Sequence, residues 1–373
     1  MPLTPDAPSP ADMAACRALL RGGSRSFFAA SLLLPARVRD PACAIYAFCR
    51  LADDAIDLDA APAAALARLR ERLDRAYAGR PLAISADRAF AEAVARHAIP
   101  RALPEALLEG FLWDAEARRY PDLAALHAYA ARVAGSVGAI MALLMGVRDA
   151  PVLARACDLG IAMQLTNIAR DVGEDARAGR LYLPLDWLAA AGIDAEAFLA
   201  APRFTPALGA VVARLLAEAD RLYRRAEAGI ARLPWSCRAG ISAARLLYAE
   251  IGRALLRLGG NSIDRRAVVP TPRKLALLAV SAGRAATWAT TRLDEPPLPA
   301  ARFLVDAARA APRPQPRQDL DARVAWLVGL YDSLERRDRT RRFAMPRWTA
   351  RPGPPDPAAT WRLPREGEDA CAI

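Results

Sequence analysis

The chain of 373 residues is almost without lysine: Lys274 is the single one, so nearly all the positive charge behind a formal net charge of +11 is arginine. A basic balance suits nucleic acid, an anionic membrane surface or a phosphorylated substrate. No basic cluster is interleaved with aromatics and no nucleic-acid motif occurs, so no nucleic-acid partner is expected. Histidine is scarce as well. His97 and His127 are the only two, which leaves a histidine-based metal centre or catalytic triad poorly supported; both read as packing or surface residues. The six cysteines (Cys16, Cys43, Cys49, Cys157, Cys237, Cys371) form no CxxC pair and no framework spacing, and read as scattered thiols of a reducing compartment. The longest apolar run, Val137 to Val147, is too short to span a bilayer. The opening MPLTPDAPSPADM lacks the basic and apolar regions of a signal peptide. The expectation is a cytoplasmic protein, at most peripheral to the inner face of a membrane.

What is present is alanine, leucine and arginine. Hydrophobic residues make up 54% of the chain and aromatics only 6%, which favours helix over sheet. The length allows a large core, in one domain or in one domain with an extension.

The helical period becomes chemically informative at QLTNIARDVGEDARAGRLYLP, residues 164–184. Gln164, Asn167, Asp171 and Asp175 are spaced three, four and four apart, which stacks four oxygen-bearing side chains on one helix face with Glu174 beside them. Ile161, Leu165, Ile168 and Val172 anchor that helix to a core. Two carboxylates and two amides make a poor zinc site. They suit a hard cation such as Mg²⁺, which takes a few carboxylates and completes its shell with substrate phosphate oxygens. The plainer reading is a solvated acidic face, against which stand the apolar neighbours and a second acidic cluster upstream. That cluster is DDAID, in which Asp53 and Asp57 lie one turn apart among Ile45, Tyr46, Phe48, Leu51 and Ile56. Acids in so apolar a run are costly to bury unless a cation or paired charge neutralises them. Two facing acidic helices suggest metal ions bridged to a diphosphate.

These two motifs, in this order, with ARAGRLYLP after the second, resemble the head-to-head prenyl synthases, the squalene and phytoene synthase family. The resemblance runs from about Ala18 to Arg284. It implies an all-α, single-domain helical bundle of the isoprenoid synthase type, with a central cavity between two Asp-rich helices. It implies an enzyme that condenses two geranylgeranyl diphosphates to phytoene in carotenoid biosynthesis. The same fold acting on farnesyl diphosphate to give squalene, dehydrosqualene or a presqualene-type product is the nearest alternative. A non-catalytic helical relative is the other, and would be expected to lose one acidic motif. The implied cofactor is Mg²⁺, with Mn²⁺ as the second option and no NADPH. Metal ligands carry over to Asp53, Asp57, Asn167, Asp171 and Asp175.

Further positions follow in chain order. Serine at a helix start usually caps the backbone, which is the plain reading of Ser24 and Ser26. The same exposed donors with Arg25 can hold a phosphate, and the family's SxSF run falls on these two serines. Arg50 shares a face with Asp53; it can pair with Asp53 or Asp54, and the matching family arginine faces diphosphate. Trp113-Asp114 and Arg118-Arg119-Tyr120 add aromatic and charged groups without an assigned role. In LHAYAARVAGSVGAIMALLMGV, the small residues around Gly135 either let helices pack closely or leave room for a ligand in a bundle. The family's VAG(T/S)VG places Val133, Ala134 and Gly135 on the cavity wall. Tyr129, one turn earlier, could reach a diphosphate or a metal-bound water. Arg177 and Arg180 follow the second motif and could neutralise diphosphate. Tyr248 resembles a tyrosine beside the cation path, its plain reading being a core aromatic. RRAVVP carries over Arg266, with Arg170 as additional positive charge, while the preceding GGNSID departs from the family pattern.

The expected division is a flexible tail over 1–16, a catalytic domain over 17–292, a Pro-rich linker over 293–320, an amphipathic basic helix over 321–343 and a disordered tail over 344–373. The basic helix either packs on the bundle or lies on an anionic membrane. Peripheral membrane contact for product release is expected, and the oligomeric state stays open.

Overall fold

The computed structural model describes residues 8–57, 62–287 and 293–313, and among these every regular element is helical. The described residues belong to one unit that ends at Pro314. The basic helix expected over 321–343 and the tail over 344–373 lie outside the described residues.

The first helix, α1 (Pro10–Gly23), starts inside the stretch expected to be a flexible tail. The correction has a local cause. Ser9 and Asp12 form a reciprocal capping box, and Arg88 donates to Asp12 at 3.1 Å, so the helix start is both capped and tied down. Cys16 and Leu20 are then fully buried. Ser24 caps α2 (Arg25–Ser31) by accepting the Phe27 N–H. Helix α3 (Ala36–Asp57) carries Pro41 inside it. The proline removes one helical hydrogen bond, while burial of Ala42, Cys43, Ile45 and Phe48 holds the helix together.

Helices α4 (Pro62–Tyr77), α5 (Ser85–His97) and α6 (Ala102–Ala115) follow. Helix α6 ends at Ala115, and two residues further on Ala117 adopts φ +48°. The stretch rich in small residues is three segments: α7 (Leu123–Ala130), a π turn over Ala131–Gly135, and α8 (Ser136–Leu144). Leu123–Leu144 is long and apolar enough to cross a membrane by composition, and 61% of it is buried in the bundle, so packing accounts for its character.

Helix α9 (Ala150–Arg177) is the axis of the bundle and packs on α8, α12 (Pro206–Ile230) and α13 (Trp235–Arg257). Between α9 and α12 lie α10 (Leu185–Ala190) and α11 (Ala195–Ala200), with Gly192 at φ +70° in the break between the two. The α8–α9 crossing is set by glycine. A Cβ on Gly138 would run into the Ala156 carbonyl, and one on Gly160 into the Ala134 carbonyl. Helix α14 (Thr271–Thr287) is tied to α13 through buried Glu250, which accepts from Arg273 at 3.0 Å and from Arg253 and Arg257 at 3.1 Å. Burial works against ionisation of Glu250, but those guanidinium hydrogen bonds outweigh it and bring its pKa down to about 2.

The Pro-rich linker expected over 293–320 is also corrected. A 3₁₀ turn (Pro299–Ala301) leads into α15 (Arg302–Ala310), whose Leu304, Val305 and Ala308 are buried. The approach to it is fastened. Arg155 and Arg225 both donate to the Pro296 carbonyl, at 3.2 and 2.7 Å, and share Asp158 between them. Prolines flank a genuine helix here, and its apolar face completes the core.

Two outcomes test this packing. Gly160→Ala should destabilise the protein by about 1–3 kcal/mol in urea unfolding, because backbone lies in the way, whereas Gly22→Ala in open space on α1 should be neutral or stabilise by up to about 1 kcal/mol. Leu304→Ala should cost about 2–4 kcal/mol; a change below about 0.5 kcal/mol, usual for surface sites, would return this segment to a linker.

Candidate active site

The polar face of α9 opens on a cavity of about 530 Å³. Along this helix the cavity is lined by Val152, Arg155, Ala156, Leu159, Gly160, Met163, Gln164, Asn167 and Arg170. That three-and-four spacing runs over nineteen residues, from Val152 to Arg170, or about 27 Å of helix. The deep part is apolar, with Met141, Met145, Ile230 and Leu233; the outer part holds Ser24, Ser26, Asn167, Arg170, Tyr248 and Arg266. One channel therefore has a greasy interior and a hydroxyl, amide and guanidinium mouth.

At the mouth α9 carries its acids. Arg170 donates from Nε to Asp171 at 2.8 Å, and Arg266 approaches the same carboxylate at 3.3 Å and Glu174 at 2.8 Å. Arg266 is delivered by the loop GGNSID, the part that departs from the family pattern. Gly173 on α9 lets that loop lie against the helix, since a Cβ there would meet the backbone of Ser262 and Ile263, and the Gly173 N–H donates to the Ser262 carbonyl at 3.2 Å. Asn261 caps the turn by accepting the N–H groups of Ile263 and Asp264. Arg177 donates to the Ile263 carbonyl at 2.7 Å, so it holds the loop rather than facing a ligand.

From α3, Arg50 engages Asp54 at 2.7 Å and stands 3.7 Å from Asp53. Asp57 ends α3, and its side chain lies outside the described residues. Tyr248 lines the cavity with its hydroxyl hydrogen-bonded to Ser24 and Arg170 nearby. Gln164 accepts weakly from Asn167 at 3.5 Å. Val133 and Ala134 line the cavity; Gly135 does not, and faces Leu304 and Ile161 instead. Its small size serves packing.

Tyr129 is also placed differently from the expectation. It is buried, and its hydroxyl donates to Asp114 at 2.8 Å, while Tyr182 donates to the other Asp114 oxygen at 2.7 Å. The rings of Tyr120, Tyr129 and Tyr182 pack around this carboxyl. The sequence reading gave Asp114 and Tyr182 no role. The signal was there: Asp114 interrupts the apolar FLW run as Asp53 interrupts its own.

Burial pushes Asp175 up to about 7, with the Asp171 charge adding to it. Burial likewise pushes Asp114 up to about 6, against the hydrogen bonds from Tyr182 and Tyr129. Asp114 also feels the charge of Asp53, and Asp175 that of Asp114. Acids from α3, α6 and α9 thus repel one another across the mouth. Among the described residues no three carboxylate, thiol or imidazole groups stand close enough to hold one ion. The donors still fit a hard divalent cation that takes one or two carboxylates and fills its shell from phosphate, and such a charge would relieve the repulsion.

The squalene/phytoene synthase family model matches residues 20–273. The chain belongs to the squalene/phytoene synthase family. It is 55% identical over 305 residues to a phytoene synthase of Rhodobacter capsulatus, covering 80% of this chain and 90% of that one. It is 40% identical over 289 residues to a 15-cis-phytoene synthase of Pantoea ananas, 74% and 93% of the two chains. Among solved structures, a dehydrosqualene synthase in complex with ligand superposes with a TM-score of 0.69 at 30% identity, covering 74% of this chain and 98% of that one. Membership of the squalene/phytoene synthase family implies a prenyl diphosphate substrate and dependence on a divalent metal ion.

A raised carboxyl makes a signed prediction. Asp114 ionises later in the folded chain than in the unfolded one, so its contribution favours folding below about pH 4 and is lost as pH rises toward about 6. Relative to the wild-type chain, Asp114→Asn should gain stability across that interval and no further above it. A pH-independent difference in urea unfolding would remove the raised carboxyl from the site.

Proposed function

We propose that the protein is a phytoene synthase, joining two geranylgeranyl diphosphates head to head. The observation that carries this is the channel along α9, apolar from Val152 to Met163 apart from Arg155 and ending in Asn167, Arg170 and Arg266, with Asp171 and Glu174 paired to those two arginines. High identity to phytoene synthases along most of the chain supports the same reading. A bound divalent cation, Mg²⁺ or Mn²⁺, supplies Lewis-acid help to the diphosphate leaving group. Asp53, Asp171, Asp175 and Asn167 would hold it, with Asp57 as the remaining family position.

The chain's own groups do the rest. Arg170 and Arg266 exchange their carboxylate partners for phosphoryl oxygens, and Arg50 adds charge from α3. Ser24, Ser26 and Tyr248 orient the outer end of the substrate. One diphosphate departs and leaves an allylic cation, which the double bond of the second substrate attacks. Proton loss closes a cyclopropylcarbinyl diphosphate. Its own ionisation and rearrangement follow, and a last proton loss gives phytoene with its central double bond and a second free diphosphate. The electrons balance without NADPH, because that last step is a deprotonation. The apolar wall keeps water from the cations. The proposal includes a cytoplasmic location with peripheral membrane contact, since the product is a hydrocarbon.

The structural likeness to a dehydrosqualene synthase favours farnesyl diphosphate as a second reading. Purified protein with Mg²⁺ and detergent, without NADPH, should turn geranylgeranyl diphosphate into phytoene and release diphosphate. Asp171→Ala with Asp175→Ala should slow this by about a hundredfold or more. Product from farnesyl diphosphate alone would move the chain to the dehydrosqualene-like branch, and no diphosphate release from either substrate would overturn the enzyme.

A further inference from the structure

The acidic mouth lies near the C-terminal end of α9. At the other end of that helix, about 30 Å away, an open groove runs between the starts of α3 and α9 and the end of α15. Arg37, Arg148, Arg309 and Arg313 line it, and Asp149 is the one acid among its lining residues. No ion pair holds any of the four arginines among the described residues. Arg148 gives one N–H to the His97 carbonyl at 2.7 Å, and its buried Nε has no partner. Arg37 gives one to the Ser236 hydroxyl at 3.0 Å. Most of the guanidinium donors at this rim are left for something outside the bundle.

The neighbouring surface is apolar where a bundle end is usually polar. The Arg37–Ser236 bond brings in the start of α13, where Trp235 is 62% exposed beneath the Arg238 guanidinium, 5.8 Å from its ring centre. The end of α2 packs on the same part of α13 through Leu34 and Gly240, and there Leu32 is 55% exposed. Met145 lines both this groove and the deep apolar end of the substrate cavity.

We propose that this face is the protein's docking surface for an anionic lipid bilayer. The four arginines take lipid phosphates, and Trp235 and Leu32 enter the interface between headgroups and acyl chains. Tryptophan favours that layer because its ring is apolar and its N–H can stay wet. A soluble phosphate would account for the arginines but leave the exposed Trp235 and Leu32 unexplained. The inference rests on the membrane contact proposed above and names the surface that makes it. The arrangement sets the deep end of the cavity toward the lipid and the acidic mouth toward water.

The test is co-sedimentation of the full chain with vesicles of phosphatidylcholine alone and of phosphatidylcholine mixed with phosphatidylglycerol. Binding should need the anionic lipid and weaken with salt. Each basic residue near such a surface is worth about fivefold in affinity, so Arg309→Glu with Arg313→Glu should weaken binding by about tenfold or more. That variant should keep its thermal unfolding and its diphosphate release in detergent, since neither arginine touches the reaction site. Trp235→Ala should weaken binding severalfold. Equal binding to neutral vesicles, no binding to either, or unchanged binding by the double variant would each overturn the proposal, the last by placing contact elsewhere in the chain. Vesicle binding that survives without any diphosphate release would fault the reaction and leave this surface standing.

Discussion

Carboxylates that repel one another at the rim of an apolar cavity are the constraint around which this molecule is arranged. Asp53, Asp114, Asp171 and Asp175 arrive from three helices, and burial already holds Asp114 and Asp175 partly back from ionisation. Uncompensated charge of one sign in such a place is unfavourable. The folded chain answers it with Arg50, Arg170 and Arg266, which cover Asp53, Asp54, Asp171 and Glu174. Those same arginines carry the charge that a diphosphate needs, so arrival of substrate and cation together exchanges one set of ion pairs for another. Arginine suits the exchange because it stays charged in a partly buried setting and binds planar oxyanions with two donors at once.

Much of this was legible beforehand, and the reason is periodicity. The three-four-four spacing from Gln164 to Asp175 can only make one face on a helix, and apolar neighbours place that face at the edge of a core. Ser24, Ser26, Asn167, Arg170, Tyr248 and Arg266 line the cavity together, although they come from the start of α2, from α9, from α13 and from the loop before α14. What failed to read through was partnership at a distance. Nothing local says that the Tyr129 hydroxyl belongs to Asp114, or that Tyr182 meets the same carboxyl from the far side of α9.

Two readings meet at Gly135. Proline on both sides of residues 302–310 hid a nine-residue helix. Gly135 stood open between close helix packing and the cavity wall, and the family's VAG(T/S)VG pattern put it on the wall. In the folded chain Leu304 of α15 occupies the space in front of Gly135, so the glycine meets protein rather than ligand. The small residues of this segment serve both purposes that their size allows: Gly138 lies on the cavity wall and also at the close crossing with α9.

The π turn over Ala131–Gly135 carries a consequence for how this rod tolerates change in length. A π turn holds one residue more than an α turn, so the extra residue is absorbed locally between α7 and α8. Loss of one residue there would restore a plain α turn and leave both helices close to their present faces, whereas loss of one residue from a regular turn on either side would rotate one against the other by about 100°. Tyr129 would keep facing Asp114 in the first case and swing away in the second. The carboxyl and the hydrocarbon channel are thus indexed to two halves of one rod, and this turn is where the rod can lose a residue without uncoupling them.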